Sequence, residues 1–265
     1  MTEITYIDPP LLCVVVSIQF EKVANFSEQL STLLKLFPEI GFPIPDSVKM
    51  NAIKFGPVGD AGPRVSWFET IKWDFKDHAR TTLIRLDDDG VAIHFADYRA
   101  FMEKKKILED VLDVINQALP TLAVKEYVLR YINHIPIQGN EDLTEWVNPA
   151  ILGLPDQPDL GLECLGSVTE SIFQSGPEGR LLVRCSTMGG GLTVPPDLFP
   201  LDLNFPVPLE SNCPFIRLEN VHLLQVTESF QPTLALERIS SLRASISLLF
   251  TALTTPTAHK KWHKQ

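Results

Sequence analysis

The chain has 265 residues, of which 45% are hydrophobic and 21% are charged, and its mean hydropathy is +0.07. This balance is typical of a folded protein and excludes a largely disordered chain. A net charge of −10 repels the phosphate backbone of nucleic acids, so we expect nucleic-acid binding only through a local basic patch, the C-terminal segment 257–265.

Membrane association and secretion are not expected from the sequence. It contains no run of about eighteen apolar residues, and its start, Met1 to Ile4, lacks the basic segment of a secretory signal. We therefore expect a cytoplasmic protein without a membrane partner. Most of the four cysteines lie in apolar, strand-like runs, which predicts reduced and buried thiols. The cysteines are Cys13, Cys164, Cys185 and Cys213.

The first half of the chain predicts a strand, a short helix, three more strands and a long helix. Apolar residues at helical spacing predict the helices at 25–37 and 98–119, and prolines and glycines predict a long loop at 38–63. The strands are predicted at 11–20, 65–75, 81–86 and 91–96. Between the last two strands, the acidic run 87–90 ends in glycine and is typical of a hairpin turn.

The second half of the chain repeats this order. A short helix is predicted at 140–147 with Asn140 as its cap, and a long helix at 234–254. The strands are predicted at 124–135, 162–174, 180–187 and 216–230. A second long loop, 188–214, contains an apolar alternation at 201–205 that is compatible with a further strand.

The repeated order predicts an α+β fold that is an internal duplication. It has two tandem β-α-β-β-β-α units, residues 1–120 and 121–256, packed as one globule and related by a pseudo-two-fold axis. Each unit is expected to be an antiparallel sheet packed against its own long helix. Residues 257–265 are expected to form a flexible basic tail.

No motif in the sequence indicates an enzyme class, a cofactor or a metal site. The Gly-x-Ser-x-Gly pattern is absent, and the triple glycine at 189–191 is not followed by the Lys-Ser/Thr of a phosphate loop. We interpret the acidic run 87–90 as a solvated turn, because the spaced ligands of a calcium loop are missing. His94 and His222 lie in predicted strands, where each is either a structural histidine or a general base.

A polar cluster in the strand 124–135 is the strongest candidate for a binding site. In a strand, Arg130 faces one side of the sheet while Tyr131 and Asn133 face the other. One interpretation is a hydrogen-bond clamp that ties the two halves together, since buried polar groups need partners. The other is that Arg130, with Arg184 and Arg217 from neighbouring strands, contributes a cationic pocket for an acidic ligand.

Three short segments resemble a sporadically distributed family of uncharacterised bacterial proteins. They are Pro9-Pro10 followed by a strand that ends at Phe20, the run Leu129-Arg130-Tyr131-Ile132-Asn133, and the strand of Val221-His222 that runs to Phe230. The resemblance covers nearly the whole chain, but Cys13 stands where similar proteins often carry an acidic residue. It implies a prokaryotic cytosolic protein of patchy distribution, as is common in defence-linked cassettes, and implies no catalytic residue.

Three functions are compatible with these features. The leading hypothesis is a non-enzymatic component that binds a protein partner, as an antitoxin, inhibitor or immunity subunit of a bacterial defence cassette. Exposed apolar patches on loops 38–63 or 188–214 would favour it. The alternative is a small-ligand or nucleotide-sensing module, which a buried pocket with convergent polar groups would favour. An enzyme with a dispersed active site is the third, and homo-oligomerisation is left open.

Overall fold

The computed structural model describes residues 6, 8–59, 62–139, 141–154, 161 and 163–262. The strands within them are β1 (Leu11–Phe20), β2 (Ile44–Gly59), β3 (Gly62–Lys76), β4 (Thr82–Leu86), β5 (Gly90–Phe95), β6 (Ala123–Pro136), β7 (Gly166–Gln174), β8 (Gly179–Met188), β9 (Gly191–Leu192), β10 (Glu210–Ser211) and β11 (Phe215–Ser229). The helices are α1 (Phe26–Glu39), α2 (Phe101–Ala118), α3 (Pro232–Leu253) and α4 (Pro256–Lys261). Asn140, Leu162 and residues 263–265, which belong to predicted segments, lie outside the described residues.

The prediction of two separate sheet-plus-helix units is wrong, because nine of the described strands form one antiparallel sheet in the order β2-β3-β4-β5-β1-β6-β11-β8-β7. Strands β1 and β6, which we expected to begin two different sheets, pair along their lengths from Leu11 opposite Asn133 to Phe20 opposite Val124. Nearly all of β1 is buried. A buried strand at a sheet edge would leave backbone N–H and C=O groups unpaired. Strand β1 instead lies near the centre of the sheet, between β5 and β6.

The prediction of a loop at 38–63 is wrong, because this segment contains the whole of strand β2. This strand pairs with β3 from Ile44 opposite Lys76 to Gly59 opposite Gly62. Strand β2 is an edge strand with one neighbour, β3. A proline, which has no N–H to donate, is tolerated where that group would point away from β3. The prolines therefore interrupt the strand only locally, as shown by the register shift between Phe55 and Val58.

One face of the sheet, here called the helix face, is covered by α1, α2 and α3. Alternate residues of β1, among them Val14 and Val16, share the largest apolar cluster with Val111 of α2 and Ile239 of α3. Helix α3 lies against β6 and β11 at the centre of the sheet and also contacts α2. The alternation of β1 thus places every second side chain under the helices.

The opposite face is covered at its centre by an extended segment, residues 193–209, which we call the strap. Its two ends are joined by the short ladder of β9 and β10. Its apolar side chains, including Leu201 and Leu203, pack on Cys13 and Val15 of β1. The alternation at 201–205 is therefore a buried covering segment and is not assigned as a strand.

Polar contacts hold the strap to the sheet. The buried guanidinium of Arg85 donates to the carbonyl oxygen of Pro200 at 2.6 Å and forms a two-pronged ion pair with Asp74. Lys76 pairs with Asp202 at 2.6 Å. The apolar patch that would have made the 188–214 loop an exposed docking surface is thus largely buried within this chain.

Residues 257–261 of the predicted flexible tail lie in helix α4, which begins at Pro256. Its His259 side chain is buried, and Trp262 packs in a third apolar cluster with Trp146 and Ile216. The tail prediction is therefore wrong for these residues, because the aromatic side chains among the lysines give the segment an apolar face to bury. The short helix expected at 140–147 is reduced to a single 3-10 turn, Leu143–Glu145.

No helix in the described part of the chain combines the length and the apolar composition that a membrane span requires. The four cysteines are free thiols, but only Cys13 and Cys185 are buried, while Cys164 and Cys213 are exposed. Burial raises the pKa of Cys13 to about 12 and that of Cys185 to about 12, so both thiols stay protonated at neutral pH.

Candidate functional site

A cavity of about 410 Å³ lies on the helix face, where α3 crosses the two central strands β6 and β11. Its lining residues come from the segment before β1, the connection between β5 and α2, the central strands and α3. They are Tyr6, Pro9, Pro10, Leu11, Tyr98, Arg99, Tyr131, Asn133, Asn220, Arg243, Ala244, Ile246, Ser247, Leu248, Phe250 and Thr251. The volume falls within the range of about 300–1,000 Å³ that small-ligand sites span.

The side chain of Asn220 is the most unusual group in the cavity. It is fully buried, at 0% exposure, and neither its Oδ1 nor its Nδ2 has a hydrogen-bond partner among the described residues. It lies opposite Tyr131 of β6 in the sheet register. An amide buried without partners costs about 1–3 kcal/mol. A carboxamide without partners at the wall of a cavity therefore points to a group that binds there.

Asn133, the second amide of the cavity, is held differently. Its Nδ2 donates to the backbone carbonyl oxygen of Leu218 at 3.0 Å. This bond ties β6 to β11 and fixes the orientation of the Asn133 amide. The two asparagines on neighbouring strands therefore differ: the Asn133 amide bonds the backbone, and the Asn220 amide at the cavity wall has no partner among the described residues.

Two tyrosines connect the sheet to the start of α2. The hydroxyl groups of Tyr98 and Tyr131 lie 3.0 Å apart and share a hydrogen bond. Their ring centroids are 5.6 Å apart at an interplanar angle of 84°, an edge-to-face arrangement. This contact orients the Tyr131 ring beside Asn220 and gives the cavity an aromatic side.

The charged groups of the cavity are both arginines. Arg99, before α2, is exposed, and Arg243 of α3 lies with its guanidinium 5.1 Å from the centroid of the Phe101 ring. No acidic residue is among the described residues that line the cavity, although the protein carries 33 acidic residues. The charged side chains in the described lining of the cavity are therefore basic, in an otherwise acidic protein.

A hydrogen-bonded chain of Tyr6, His259 and Thr254 links α4 to the wall of the cavity. The Thr254 hydroxyl donates to the Phe250 carbonyl at 2.7 Å, so it accepts from His259 Nε2 at 3.1 Å. His259 Nδ1 is then the acceptor for the Tyr6 hydroxyl at 2.5 Å. Burial raises the pKa of Tyr6 to about 12, so this phenol remains a neutral donor. The chain positions the Tyr6 ring and makes the C-terminal helix part of the site.

Of the predicted site residues, Tyr131 and Asn133 line the cavity, whereas the three arginines do not. Arg130 pairs with Asp197 of the strap at 2.6 Å and also bonds Glu219 on the face opposite the helices. Arg217 donates to Glu219 at 3.2 Å.

Arg184 lies further out, toward the sheet edge, and pairs with Glu170 at 2.9 Å. The three guanidinium groups thus face carboxylates of this chain and form no shared pocket. The interpretation of a clamp describes Arg130 and Arg217 better than that of a cationic pocket.

The two candidate general bases lie outside the cavity. His222 Nδ1 donates to the Leu242 carbonyl at 3.1 Å, which leaves Nε2 to accept from the Ser175 hydroxyl at 2.9 Å. Burial lowers the pKa of His222. His94 is buried under the strap, and burial, with the nearby charges of Arg85 and Arg130, lowers its pKa to about 3.

The carboxylates of Asp87, Asp88 and Asp89 gather at the turn between β4 and β5. Lys72 pairs with Asp87 at 2.8 Å and Lys22 with Asp88 at 2.7 Å. These lysines already balance part of the negative charge of the turn, and the predicted hairpin is confirmed by the pairing of β4 with β5.

Sequence reasoning missed Asn220 and Arg99. Asn220 follows Glu219 and lies between Leu218 and Val221 in a predicted strand, so a second polar residue in succession was its signal. The sequence does not show whether its amide has a partner. No family model matches the chain, and no curated protein matches it in sequence. The function is therefore argued from the geometry of the cavity.

Proposed function

We propose that this protein is a small-ligand-binding module whose ligand occupies the cavity between α3 and strands β6 and β11. The observation that supports the proposal is the Asn220 amide, which is fully buried, lines the cavity and has no partner among the described residues. A ligand that pairs with this amide recovers the cost of its burial. On the sequence features given above, we place this module in the bacterial cytoplasm.

The fixed orientation of the polar side chains beside Asn220 supports a binding role. Asn133 is bonded to the backbone, and Tyr131 is bonded to Tyr98, so two of the polar side chains beside Asn220 are held in place before any ligand arrives. Such preorganisation reduces the ordering cost of binding. A sensing function would follow if occupancy altered the packing of α3 against the sheet.

A cavity-blocking variant tests the proposal. Ser247 lines the cavity on α3 and is exposed, so Ser247→Trp should fill the opening without disturbing the core. Ser241→Trp is the matched control, because Ser241 is an exposed serine of the same helix that does not line the cavity. A ligand that binds the folded state raises its stability by mass action.

We expect compounds from a metabolite library to raise the thermal unfolding midpoint of the wild type and of Ser241→Trp, and to leave Ser247→Trp unchanged. Native mass spectrometry of the same samples should show one bound molecule per chain. Stabilisation that is equal in all three proteins, or absent from all three, would contradict the proposal.

A protein-binding function is a second candidate, as expected for an antitoxin, inhibitor or immunity subunit. It is favoured by strand β7, which is the edge strand at one end of the sheet. Val168 and Ile172 of this strand are 66% and 62% exposed. Edge strands with exposed apolar side chains are surfaces that add a strand from a partner or from a second copy. The other predicted patch, on 38–63, falls largely on side chains outside the described residues.

Charge substitutions on β7 test this second candidate. Val168→Lys combined with Ile172→Lys should abolish retention of a partner or of a second copy, measured by affinity capture and by light scattering. Met102→Lys is the control, since Met102 is equally exposed, at 66%, but lies on α2. Identical associations in the wild type and both variants would reject β7 as an interface.

A further inference from the structure

The Asn220 amide, which has no hydrogen-bond partner among the described residues, limits which chemical groups of a ligand could pair with it. A carboxamide presents one acceptor oxygen and two donor hydrogens side by side. With both ends of the Asn220 amide unpaired, the complementary ligand group carries a donor next to an acceptor. The edge of a nucleobase has this pattern, and asparagine pairs with adenine through two hydrogen bonds in this way.

The aromatic side of the cavity favours a planar ring over an aliphatic amide. Tyr131 lies opposite Asn220 in the register, and the rings of Tyr98, Tyr6 and Phe250 line the same cavity. A flat heterocycle whose edge bonds the amide could contact these aromatic rings within the cavity. Stacking of a base on an aromatic side chain contributes about 1–3 kcal/mol and is tolerant of base identity.

The charge of the lining indicates that the ligand also carries an anionic group. Arg99 lines the cavity, and no acidic residue is found among its described lining residues. Arg99 is exposed at the N-terminal side of α2. A guanidinium in this position suits a phosphate, which it binds through paired hydrogen bonds.

We propose that the cavity binds a mononucleotide, with the edge of its base on Asn220, its ring beside Tyr131 and its phosphate at Arg99. This inference rests on the proposed function, since it names the ligand class of the same cavity. The recognised unit is a free nucleotide, because a 410 Å³ cavity in a protein of net charge −10 accommodates one unit and repels a polyanion.

The test measures binding of the 5′-monophosphates of adenosine, guanosine, cytidine and uridine, and of the four nucleosides, by isothermal titration calorimetry on the full chain. We expect at least one monophosphate to bind the wild type with a stoichiometry of one. Asn220→Leu, which keeps the branching of the side chain and removes both hydrogen-bonding ends, should weaken that binding about 5- to 150-fold, the equivalent of one lost bidentate base contact.

Arg99→Gln should weaken the monophosphate and leave the corresponding nucleoside unchanged. Ser247→Trp should abolish binding of both, and Ser241→Trp should retain it. These last two variants change exposed positions, so they test the site even if Asn220→Leu fails to fold.

Absence of binding by all eight compounds, or binding that Asn220→Leu and Ser247→Trp both leave intact, would overturn the inference. If library compounds still stabilise the wild type and not Ser247→Trp while no nucleotide binds, the nucleotide inference fails and the ligand-binding function stands. If neither kind of compound binds in a way that Ser247→Trp removes, both fail.

Discussion

Strands β6 and β11 carry a cluster of buried, paired charges on one face and a buried, unpartnered amide on the other. On the strap face, Glu219 is bonded by both Arg130 and Arg217, so each buried charge has a partner within the chain. On the helix face, at the same level of the sheet, Asn220 has none among the described residues. Since unpaired buried groups are costly, the first set is explained by stability, and for the second we propose a ligand.

The difference also separates structure from function along single strands. Arg130 and Tyr131 are neighbours in sequence, yet one is held by the strap and the other lines the cavity. Substitution of Glu219 on the strap face should therefore change stability, and substitution of Asn220 on the helix face should change binding. The three predictions below test this division, beginning with the largest expected effect.

The largest effect is expected for Glu219→Gln on the strap face. Glu219 is 1% exposed and bonds two guanidinium groups, so its removal leaves Arg217 buried without a carboxylate partner. Breaking a buried ion pair in this way costs about 3–5 kcal/mol. The free energy of unfolding from urea denaturation should fall by about this amount, while the affinity for a cavity ligand in the folded protein is unchanged.

Glu170→Gln is the matched control. It also removes a carboxylate from an arginine, Arg184, but both side chains of that pair are 38% exposed. Exposed pairs contribute at most about 1 kcal/mol. If the two variants lost the same stability, the bonds of Glu219 with Arg130 and Arg217 would not be the structural clamp that we infer.

His94, a buried histidine on the strap face, gives the second prediction. Both of its ring nitrogens lack partners among the described residues, and its pKa is lowered to about 3, by burial first and by nearby arginines. Between its folded pKa and the ordinary value of 6.5, the unfolded chain binds a proton that the folded chain does not. Stability is therefore present above pH 6.5 and is lost as the pH falls toward 3.

From pH 7.5 to pH 5, the contribution of His94 to this loss is about 2 kcal/mol, at 1.36 kcal/mol for each pH unit. His94→Leu should remove that share of the pH dependence, measured by urea denaturation at both pH values. His78→Gln is the control, since His78 is exposed. An unchanged difference between the two pH values in His94→Leu would show that this histidine does not stay neutral under the strap.

Most of the local elements were predictable from the sequence, with β2 and α4 as exceptions, whereas their assembly was not. Alternation correctly placed Arg130 on one face and Tyr131 and Asn133 on the other, because side-chain direction depends only on the local backbone. The partner of Arg130 is 89 residues away on β11, and such non-local pairing leaves no signal in one sequence. For the same reason, the pairing of β1 with β6 was missed.

The smallest effect is expected for Asn220→Leu, and it decides the comparison between the two faces. A buried amide without partners contributes nothing to folding and bears a desolvation cost, so an apolar side chain with the same branching should leave stability unchanged or raise it by about 1 kcal/mol. Asn133→Leu is the matched control, because the Asn133 amide bonds the Leu218 carbonyl and its removal should cost about 1–3 kcal/mol. Both are measured by urea denaturation without ligand. If Asn220→Leu were as destabilising as Asn133→Leu, the Asn220 amide would be satisfied in the free protein, and the helix face would be as structural as the strap face.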